Sequence, residues 1–316
     1  MAQGFNGYIG IGKESTFGSG VAPTDYVEAL SESMSAEYDR YDIKNIIGAL
    51  ASPDDQAGVL RVGGDIAIPV HPVSAGHFLH GFFFSNSMSV VTSGFLQTTK
   101  WFSTSSVQNT TSLMPSYTVE VFRDITSAQR YTGAIMNTFQ MVVQPNNALS
   151  MTMGIIGRDT VLNAKSTPTF PGSPAKPFTF DTASLSIGGA GTTLIETLNI
   201  NGNNNLEGIP ALNLSSRIAK IRRKDHQSIL MSGVLDFQDA TEYLNFIDQT
   251  EQEMTLSVTK ANSFQMVVTL PRFVYTAFPM GISGKDRLLV NFQGKAFYHQ
   301  GSGTAIEVAL TTTNCY

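Results

Sequence analysis

Hydrophobic and polar residues alternate with a period of two along much of this chain. The clearest segments, rich in Val, Met, Leu and Phe, are residues 116–122, 137–143, 151–153, 255–258 and 263–270. A period of two is typical of β-strands that turn one face toward a core. Short polar loops at residues 144–147 and 260–262 join consecutive strands and predict antiparallel hairpins. The pattern therefore predicts an all-β fold.

The order of these elements occurs twice. In each copy an alternating strand leads into a short helical stretch, first at residues 65–84 and again at residues 231–249. Each copy then closes on an apolar strand followed by a glycine and a basic residue, beginning at Gly157 and at Gly294. A fold that is duplicated without a set of catalytic residues favours a role in structure or assembly.

The repeat divides the chain into two predicted domains, residues 1–165 and residues 178–316, each long enough to bury its own core. Residues 166–177 form a predicted linker, whose closely spaced prolines favour an extended polyproline II path and a fixed spacing between domains. The first copy is longer because of a Ser/Thr-rich insertion at residues 85–112, which contains Trp101. We expect this insertion to be a loop on the protein surface.

Helical periodicity is clear at residues 239–247, where Asp239 is the expected N-cap. Tyr243, Leu244 and Ile247 are expected to line one face of this helix. Each domain is thus predicted to carry one short flanking α-helix.

The amino-acid composition argues against some classes of function and favours others. Charged residues make up 14% of the chain and the formal net charge is -5, so there is no basic footprint for wrapping nucleic acid. Low charge favours a chain that buries surface against other subunits, although an extracellular β-sandwich has a similar composition. The single Cys315 excludes an intrachain disulfide.

The sequence also predicts where the chain folds. Its start lacks the basic and apolar regions of a secretory signal. No apolar run approaches the roughly 20 residues that span a bilayer. We expect folding in a cytoplasm and no membrane anchor.

Two motifs resemble ligand sites but fail in detail. Residues 7–15 resemble a phosphate loop, but Glu14 stands where a Ser or Thr hydroxyl would bind magnesium, and its charge would repel phosphates. His71, His77 and His80 cluster, with two of them three residues apart, yet no carboxylate lies among them in the sequence. Packed or surface histidines are therefore favoured over a metal site.

Residues 225–228 contain the residue types of a hydrolase triad, but sequence neighbours do not adopt triad geometry unaided. No catalytic residue, cofactor or metal is predicted.

Opposite charge occupies equivalent places in the two copies. Before the strand and helix of the second copy lies a basic segment with Arg222, Arg223 and Lys224, whereas the same place in the first copy holds Asp54 and Asp55. Attraction between the basic segment of one copy and the acidic segment of another would favour contacts between subunits or between rings. Solvated loops that never meet remain the alternative.

The opening residues 6–24 resemble the start of tail tube proteins from long-tailed, non-contractile bacteriophages. In both, a glycine-rich strand precedes a Glu-Ser pair, here Glu14 and Ser15, and a turn that ends in proline, here Pro23. The resemblance continues through residues 27–47, 65–84 and 131–159, and recurs more weakly at residues 178–313. It covers nearly the whole chain, and the order of features carries it.

The resemblance implies two tandem tail-tube domains, each a β-sandwich or barrel with one flanking helix. Single-domain relatives close rings of six, so three chains of this kind would close a ring with pseudo-sixfold symmetry. Stacked rings would form a tube in the virion tail, assembled in the host bacterial cytoplasm, through which DNA passes without specific binding.

Tail tip, tape-measure and tail terminator proteins are the other partners that the resemblance implies. It also implies that residues 47–60 and 206–227 reach a neighbouring ring. The competing interpretation is a two-domain receptor-binding or carbohydrate-binding module on a virion or cell surface.

Overall fold

The computed structural model of the chain describes residues 4–43, 50, 54–91, 94–100, 114–170, 176–212, 215–260, 264–281 and 285–313. Strands dominate these residues, which confirms the predicted all-β class. The strands are β1 (Tyr8–Lys13), β2 (Asp25–Val27), β3 (Ser31–Glu32), β4 (Ser35–Asp42), β5 (Asp55–Pro69), β6 (Ser87–Val91), β7 (Gly94–Lys100), β8 (Tyr117–Phe122), β9 (Ser127–Val143), β10 (Ser150–Gly157), β11 (Asp159–Ala164), β12 (Ala183–Ile187), β13 (Ala190–Thr192), β14 (Ile195–Asn203), β15 (Leu206–Pro210), β16 (Ile218–Arg223), β17 (Ser228–Asp236), β18 (Gln252–Lys260), β19 (Phe264–Ala277), β20 (Leu289–Ala296) and β21 (Glu307–Thr312). The α-helices of this part are α1 (Ala75–Phe83) and α2 (Thr241–Ile247).

The two halves of the chain repeat one pattern of antiparallel pairing. In the first half β5 pairs with β4 and β10, β10 with β9, and β9 with β8 and β11. In the second half β17 pairs with β14 and β20, β20 with β19, and β19 with β18 and β21. The opening strands agree, since β1 pairs with β2 and β8, and β12 with β13 and β18. The domain boundaries themselves remain a prediction.

A β-bulge in each half defines which residues are equivalent. The ladder between β9 and β10 skips Asn137, and the ladder between β19 and β20 skips Thr276. In the resulting register Gly157 corresponds to Ala296. The predicted equivalence of Gly157 with Gly294 is therefore wrong by two residues, because in the second half the Gly-basic pair lies inside the strand instead of at its end.

One apolar core runs through both halves. Its fully buried members include Tyr117 and Phe139 from the first half, and Phe273 and Phe292 from the second. Met141 of β9 faces Ile200 of β14 across a ladder that joins the halves. The alternating pattern of the sequence thus sends one face of each half into the same interior.

Helix α1 is buried along its whole length. It ends at Phe84, which has a left-handed φ of 62° and donates its N–H to the His80 carbonyl at 3.0 Å. The ring of Phe82 stacks on Phe139 at a centroid distance of 5.3 Å. Burial against the sheet, rather than intrinsic propensity, holds this glycine- and phenylalanine-rich helix.

Helix α2 differs from its prediction. The structure places its cap at Ala240, and Asp239 instead accepts the Thr241 N–H through its side chain at 2.8 Å. The predicted face is wrong, because Leu244 and Ile247 are 54% and 55% exposed while Tyr243 packs on the core together with Phe246. The buried face of α2 is therefore formed by the aromatic residues Tyr243 and Phe246, and the aliphatic residues Leu244 and Ile247 face outward.

The insertion at residues 85–112 is only partly a surface feature, contrary to expectation. Strand β7 pairs with β21 of the second half. Its Gln97 and Thr99 are fully buried, and Gln97 Nε2 donates to the Gly76 carbonyl of α1 at 3.1 Å. Residues 101–113, including Trp101, lie outside the described residues, as do residues 171–175 of the linker.

The predicted hairpin loop at residues 144–147 is confirmed between β9 and β10, where Asn146 has a φ of 60°. At residues 260–262, Lys260 ends β18 as expected. The remaining two residues of that loop lie outside the described residues.

Replacing Phe139 with Ala should lower the free energy of unfolding by about 3–5 kcal/mol, because the substitution leaves a cavity beneath α1 and removes the stacked pair with Phe82. Chemical denaturation followed by tryptophan and tyrosine fluorescence measures this loss. Leu162→Ala, at a side chain 64% exposed, should change stability by less than about 0.5 kcal/mol. Equal losses in both variants would show that Phe139 is not a core contact.

Candidate assembly interface

A ladder between β9 and β14 joins the two halves. Thr138 lies opposite Asn203, and Val143 lies opposite Leu198. The bulge residue Asn137 ends the ladder, since its carbonyl accepts the Asn204 N–H at 2.8 Å. The open edge of β9 in the first half is thereby paired by β14 of the second half, which is how sheets remove exposed edges.

Side chains lock this junction. Asn204 is fully buried, and its Nδ2 donates to the carbonyls of Phe82 and Met136 at 2.8 and 3.1 Å. Its Oδ1 accepts from Gln227 Nε2 at 2.8 Å. Gly202 allows the close approach, because a Cβ there would lie 2.6 Å from the Phe82 ring. The amide is therefore satisfied on both ends inside an apolar setting.

A long hairpin of the second half lies over the first half; we call residues 204–227, which contain β15 and β16, the second-half hairpin. Its Leu206, Ile218 and Ile221 are buried in an apolar cluster with residues of the first half. The first-half members of this cluster are Phe84, Met114 and Ile135, with Phe17, Val59 and Ile156 packed against it. The hairpin thus covers the first half by apolar burial.

Polar contacts fix the same hairpin in place. The Leu60 N–H donates to the Ser216 carbonyl at 2.8 Å. Arg217 Nε donates to Asp159 Oδ1 at 2.7 Å. Contact of residues 206–227 with a neighbouring ring remains a prediction, and within the chain they bind the first half.

The corresponding element of the first half, described at residues 35–43, 50 and 54–60 with β4 and the start of β5, is called the first-half hairpin. Its Tyr38 and Tyr41 are 45% and 53% exposed. Arg40 Nε donates to Asp55 Oδ2 at 2.6 Å. This pair lowers the pKa of Asp55, chiefly through the hydrogen bond from Arg40.

The predicted contact residues lie on these two hairpins. Asp54 accepts the Asp55 N–H at 2.8 Å. Lys224 Nζ lies 3.9 Å from Glu207 Oε2. Arg222 sits on β16 with its Cα opposite Glu207. The structure therefore places each charge group on a hairpin, and their contact between copies remains a prediction.

Arg223 is the exception among these charges, because its side chain is half buried. Burial lowers its pKa to about 10. Its Nε and Nη2 are buried and have no hydrogen-bond partner among the described residues. A buried cation without a partner costs stability.

Among the open stretches of backbone edge in the described part of the chain, one lies on β4 and one on β19. Along β4, the residues from Ser35 to Tyr38 pair with β5 and with no other described strand. Along β19, the residues from Val274 to Ala277 pair with β20 and with no other described strand. Both stretches offer unpaired N–H and C=O groups to another chain.

The edge of β4 is closed just before this opening. Ser33 donates its N–H inward to the Asp65 carbonyl at 2.9 Å, and the outward N–H of Met34 is capped by Glu32 Oε2 at 3.0 Å. Arg123 binds the same Glu32 at 2.7 Å and the Met34 carbonyl at 2.8 Å. By strand alternation, the next outward N–H belongs to Ala36.

Glu14, which argued against a phosphate loop, has a structural role. Its carboxylate is buried and accepts hydrogen bonds from the N–H groups of Gly18 and Gly133 at 2.8 and 2.9 Å. The hydroxyls of Ser116 and Thr118 also donate to it, at 2.8 and 2.9 Å. Four donors hold one carboxylate, so the Glu-Ser motif fastens the opening loop to β8 and β9.

Each of the three histidines has a different partner, and that of His80 is the Tyr117 hydroxyl, which lies 3.2 Å from its Nδ1. His71 Nε2 lies 3.1 Å from Glu28 Oε2, and His77 Nε2 lies 3.0 Å from Asp25 Oδ2. The hydrogen bond from His77 lowers the pKa of Asp25. Burial lowers the pKa of His80 to about 4. The carboxylates that the sequence did not show thus come from the β2 region, and among the described residues no group of three His, Cys, Asp or Glu side chains is placed to hold a metal.

Residues 225–228 form a turn rather than a triad. Asp225 Oδ1 accepts the N–H of the adjacent His226 at 2.7 Å, and the His226 carbonyl accepts from Asn205.

No helix in the described part of the chain is long and apolar enough to cross a bilayer.

A buried ion pair anchors the chain where it leaves the first half. Glu120 is fully buried, and its Oε2 accepts from Arg130 Nε at 2.6 Å. Its Oε1 accepts from the Tyr8 hydroxyl at 2.7 Å and the Ser166 N–H at 3.2 Å. Burial opposes ionisation, yet the hydrogen bonds from Arg130, Tyr8 and Ser166 outweigh it and lower the pKa of Glu120. Strand β1 and the start of the linker thus share one carboxylate.

The comparisons with known proteins agree with this architecture. A family profile described as phage tail tube protein matches residues 4–296. The comparison with curated proteins returned no match.

Arg130→Met should cost about 3–5 kcal/mol at pH 7, because it leaves the buried Glu120 charge without its cation. In the wild type the depressed pKa of Glu120 contributes stability that is lost as pH falls through it. In the variant the buried carboxyl should instead bind a proton readily, so the difference in unfolding free energy should shrink between about pH 7 and pH 4.

Chemical denaturation at several pH values measures this difference. Arg61→Met breaks a comparable but exposed pair with Asp39 and should cost less than about 1 kcal/mol at every pH. A cost for Arg130→Met that is independent of pH would contradict the assignment of Glu120.

Proposed function

This chain belongs to the phage tail tube protein family, and we propose that it is the tube subunit that assembles itself into stacked rings around a conduit for DNA. Its role is structural, and no catalytic step is assigned to it. The observation that carries the proposal is the β9–β14 ladder, a sheet-to-sheet junction between two halves with the same strand pairing. A junction between equivalent units can be repeated by further copies.

The intrachain junction provides a template for the junction between chains. The bulge register makes Thr138 equivalent to Ala277. The ladders of β4 and β14 with β5 and β17 make Asn203 equivalent to Glu37. Because Thr138 lies opposite Asn203, we expect Ala277 of one chain to lie opposite Glu37 of the next. These positions fall on the two open edges.

Repetition of that junction closes a ring. Each chain supplies two equivalent halves, and the single-domain relatives close rings of six. Three chains would therefore close a ring with pseudo-sixfold symmetry. Closure would pair the open stretches of β4 and β19, and this would remove the aggregation hazard that those edges pose to a monomer.

The charge of the chain suits a DNA conduit. With 20 Lys and Arg against 25 Asp and Glu, the chain has no excess of cations to retard a passing phosphate backbone. We expect DNA to pass without specific binding. Tail tip, tape-measure and tail terminator proteins are the proposed partners at the ends of the tube and inside it, with assembly in the host cytoplasm.

Negative-stain microscopy and native mass spectrometry of purified protein test the proposal. We expect rings or tubes of uniform width and a species with three chains. A stable monomer at all concentrations, with a surface that binds glycans, would support the receptor-binding or carbohydrate-binding alternative instead.

Ala36→Pro should abolish ring formation while changing the unfolding temperature little, because proline removes the outward N–H that the junction needs but no bond to β5. Native mass spectrometry measures the loss of the three-chain species. Ala36→Gly is the matched control, since it alters the same side chain and keeps the N–H. Rings formed equally well by the proline variant would exclude this edge as the junction.

A further inference from the structure

The intrachain contact of the second-half hairpin has an equivalent position between chains. The registers make Asn203 equivalent to Glu37, and counting five residues onward along each chain segment matches Gly208 with Asp42. Gly208 pairs with Ile221, and Asp42 pairs with Asp55. The place of Ile221, which is buried against the first half, is therefore taken in the first-half hairpin by the Asp54–Asp55 pair.

The surface beneath the hairpin has an equivalent as well. Ile156 pairs with Ile135, one step before the bulge of the first half. Lys295 pairs with Val274, at the same step in the second half. The apolar Ile156 of the covered surface is thus replaced by a lysine on the second half.

From this double equivalence we propose that the first-half hairpin of one chain docks over the second half of a neighbouring copy, where Asp54 and Asp55 meet Lys295. The docking rests on the proposed ring, since it needs the copy that supplies the adjacent second half. It assigns Lys295, rather than the basic residues of β16, as the partner of the predicted acidic pair.

The charges of Asp54 and Lys295 are complementary and available, whereas Asp55 is already paired with Arg40. In the described part of the chain neither Asp54 nor Lys295 takes part in an ion pair. Lys295 Nζ lies 5.5 Å from the centre of the Phe297 ring, and the Arg272 guanidinium lies 5.7 Å from the same ring. Arg272 is already paired with Glu251, so Lys295 is the cation at this ring that an outside carboxylate would meet.

Exposed aromatic side chains border the contact on both sides. Phe297 and Tyr298 are 37% and 48% exposed on the second half, and Tyr38 and Tyr41 are about half exposed on the first-half hairpin. Aromatic residues around a charged centre are typical of surfaces that become buried in an assembly.

The exchange of apolar for charged residues has a physical reason. The intrachain contact forms once, as the chain folds, so apolar burial serves it. The surfaces that meet between chains are exposed to solvent until a second copy binds. Apolar side chains at those surfaces would promote aggregation. Complementary charge keeps each surface soluble and guides the encounter.

Charge reversal tests the docking. Asp54→Lys and Lys295→Glu should each raise the protein concentration needed for half-maximal ring formation by about three- to tenfold, and the double variant should restore it. Higher ionic strength, from about 0.05 to 0.5 M NaCl, should weaken wild-type assembly and reduce the difference between variants. Glu253→Lys and Lys176→Glu, reversals at exposed positions away from the contact, should leave assembly unchanged.

A cross-link provides a readout that does not depend on assembly strength. In a Cys315→Ser background, Asp54→Cys together with Lys295→Cys should form disulfide-linked oligomers on oxidation of assembled protein, and either cysteine alone should not. Circular dichroism confirms that each variant is folded before it is scored.

The outcomes separate the docking from the proposed function. A wild type that forms no rings contradicts the ring itself. Rings that persist with both single reversals at wild-type concentration, or a double cysteine variant that forms no linked oligomers within intact rings, overturn the docking and leave the ring in place.

Discussion

Backbone hydrogen bonding at open strand edges is the constraint on which this structure depends. A strand edge presents a row of donors and acceptors that must find partners in water or in another strand. Within the chain, β14 of the second half satisfies the edge of β9. Because the halves repeat one pairing pattern, the same constraint arises again at β4 and β19, where the described chain offers no partner. The proposed assembly rests on this unfinished pairing more directly than on any individual side chain.

The equivalent parts of the two halves differ where their surroundings differ. Helix α1 is buried throughout because β7 and β9 cover it, and Gln97 bonds to its Gly76 carbonyl. Helix α2 keeps Leu244 and Ile247 exposed. The hairpins differ in the same way, with Ile221 buried in one and acidic residues at the equivalent place in the other. The two halves thus share one backbone plan, and their side chains differ between contacts inside the chain and surfaces that, in the proposed ring, would face another copy.

Polar residues that resemble ligand-binding or catalytic groups in the sequence make structural hydrogen bonds in the fold. Glu14 holds four donors, Glu120 joins β1 to the start of the linker, and His71 and His77 bind carboxylates of the β2 region. Each is buried or partly buried and hydrogen-bonded, which is the condition for a polar group to stabilise an apolar interior. This explains why charged residues occur in a protein whose family points to a structural role.

The sequence by itself determined the strands, the hairpin at residues 144–147 and the order of elements in each half, because these depend on local alternation and on turn residues. It also located the charged segments, Asp54 and Asp55 on one hairpin and Arg222 to Lys224 on the other. The tertiary structure decided which face of α2 is buried, that β7 belongs to the sheet, and that Asn204 and Gly202 lock the junction. It also decided which residues of the two halves are equivalent, because the position of one bulge residue in each half sets the alignment of all residues that follow it. These features depend on contacts between residues far apart in the chain, and a period of two carries no information about which distant strand a given edge will meet.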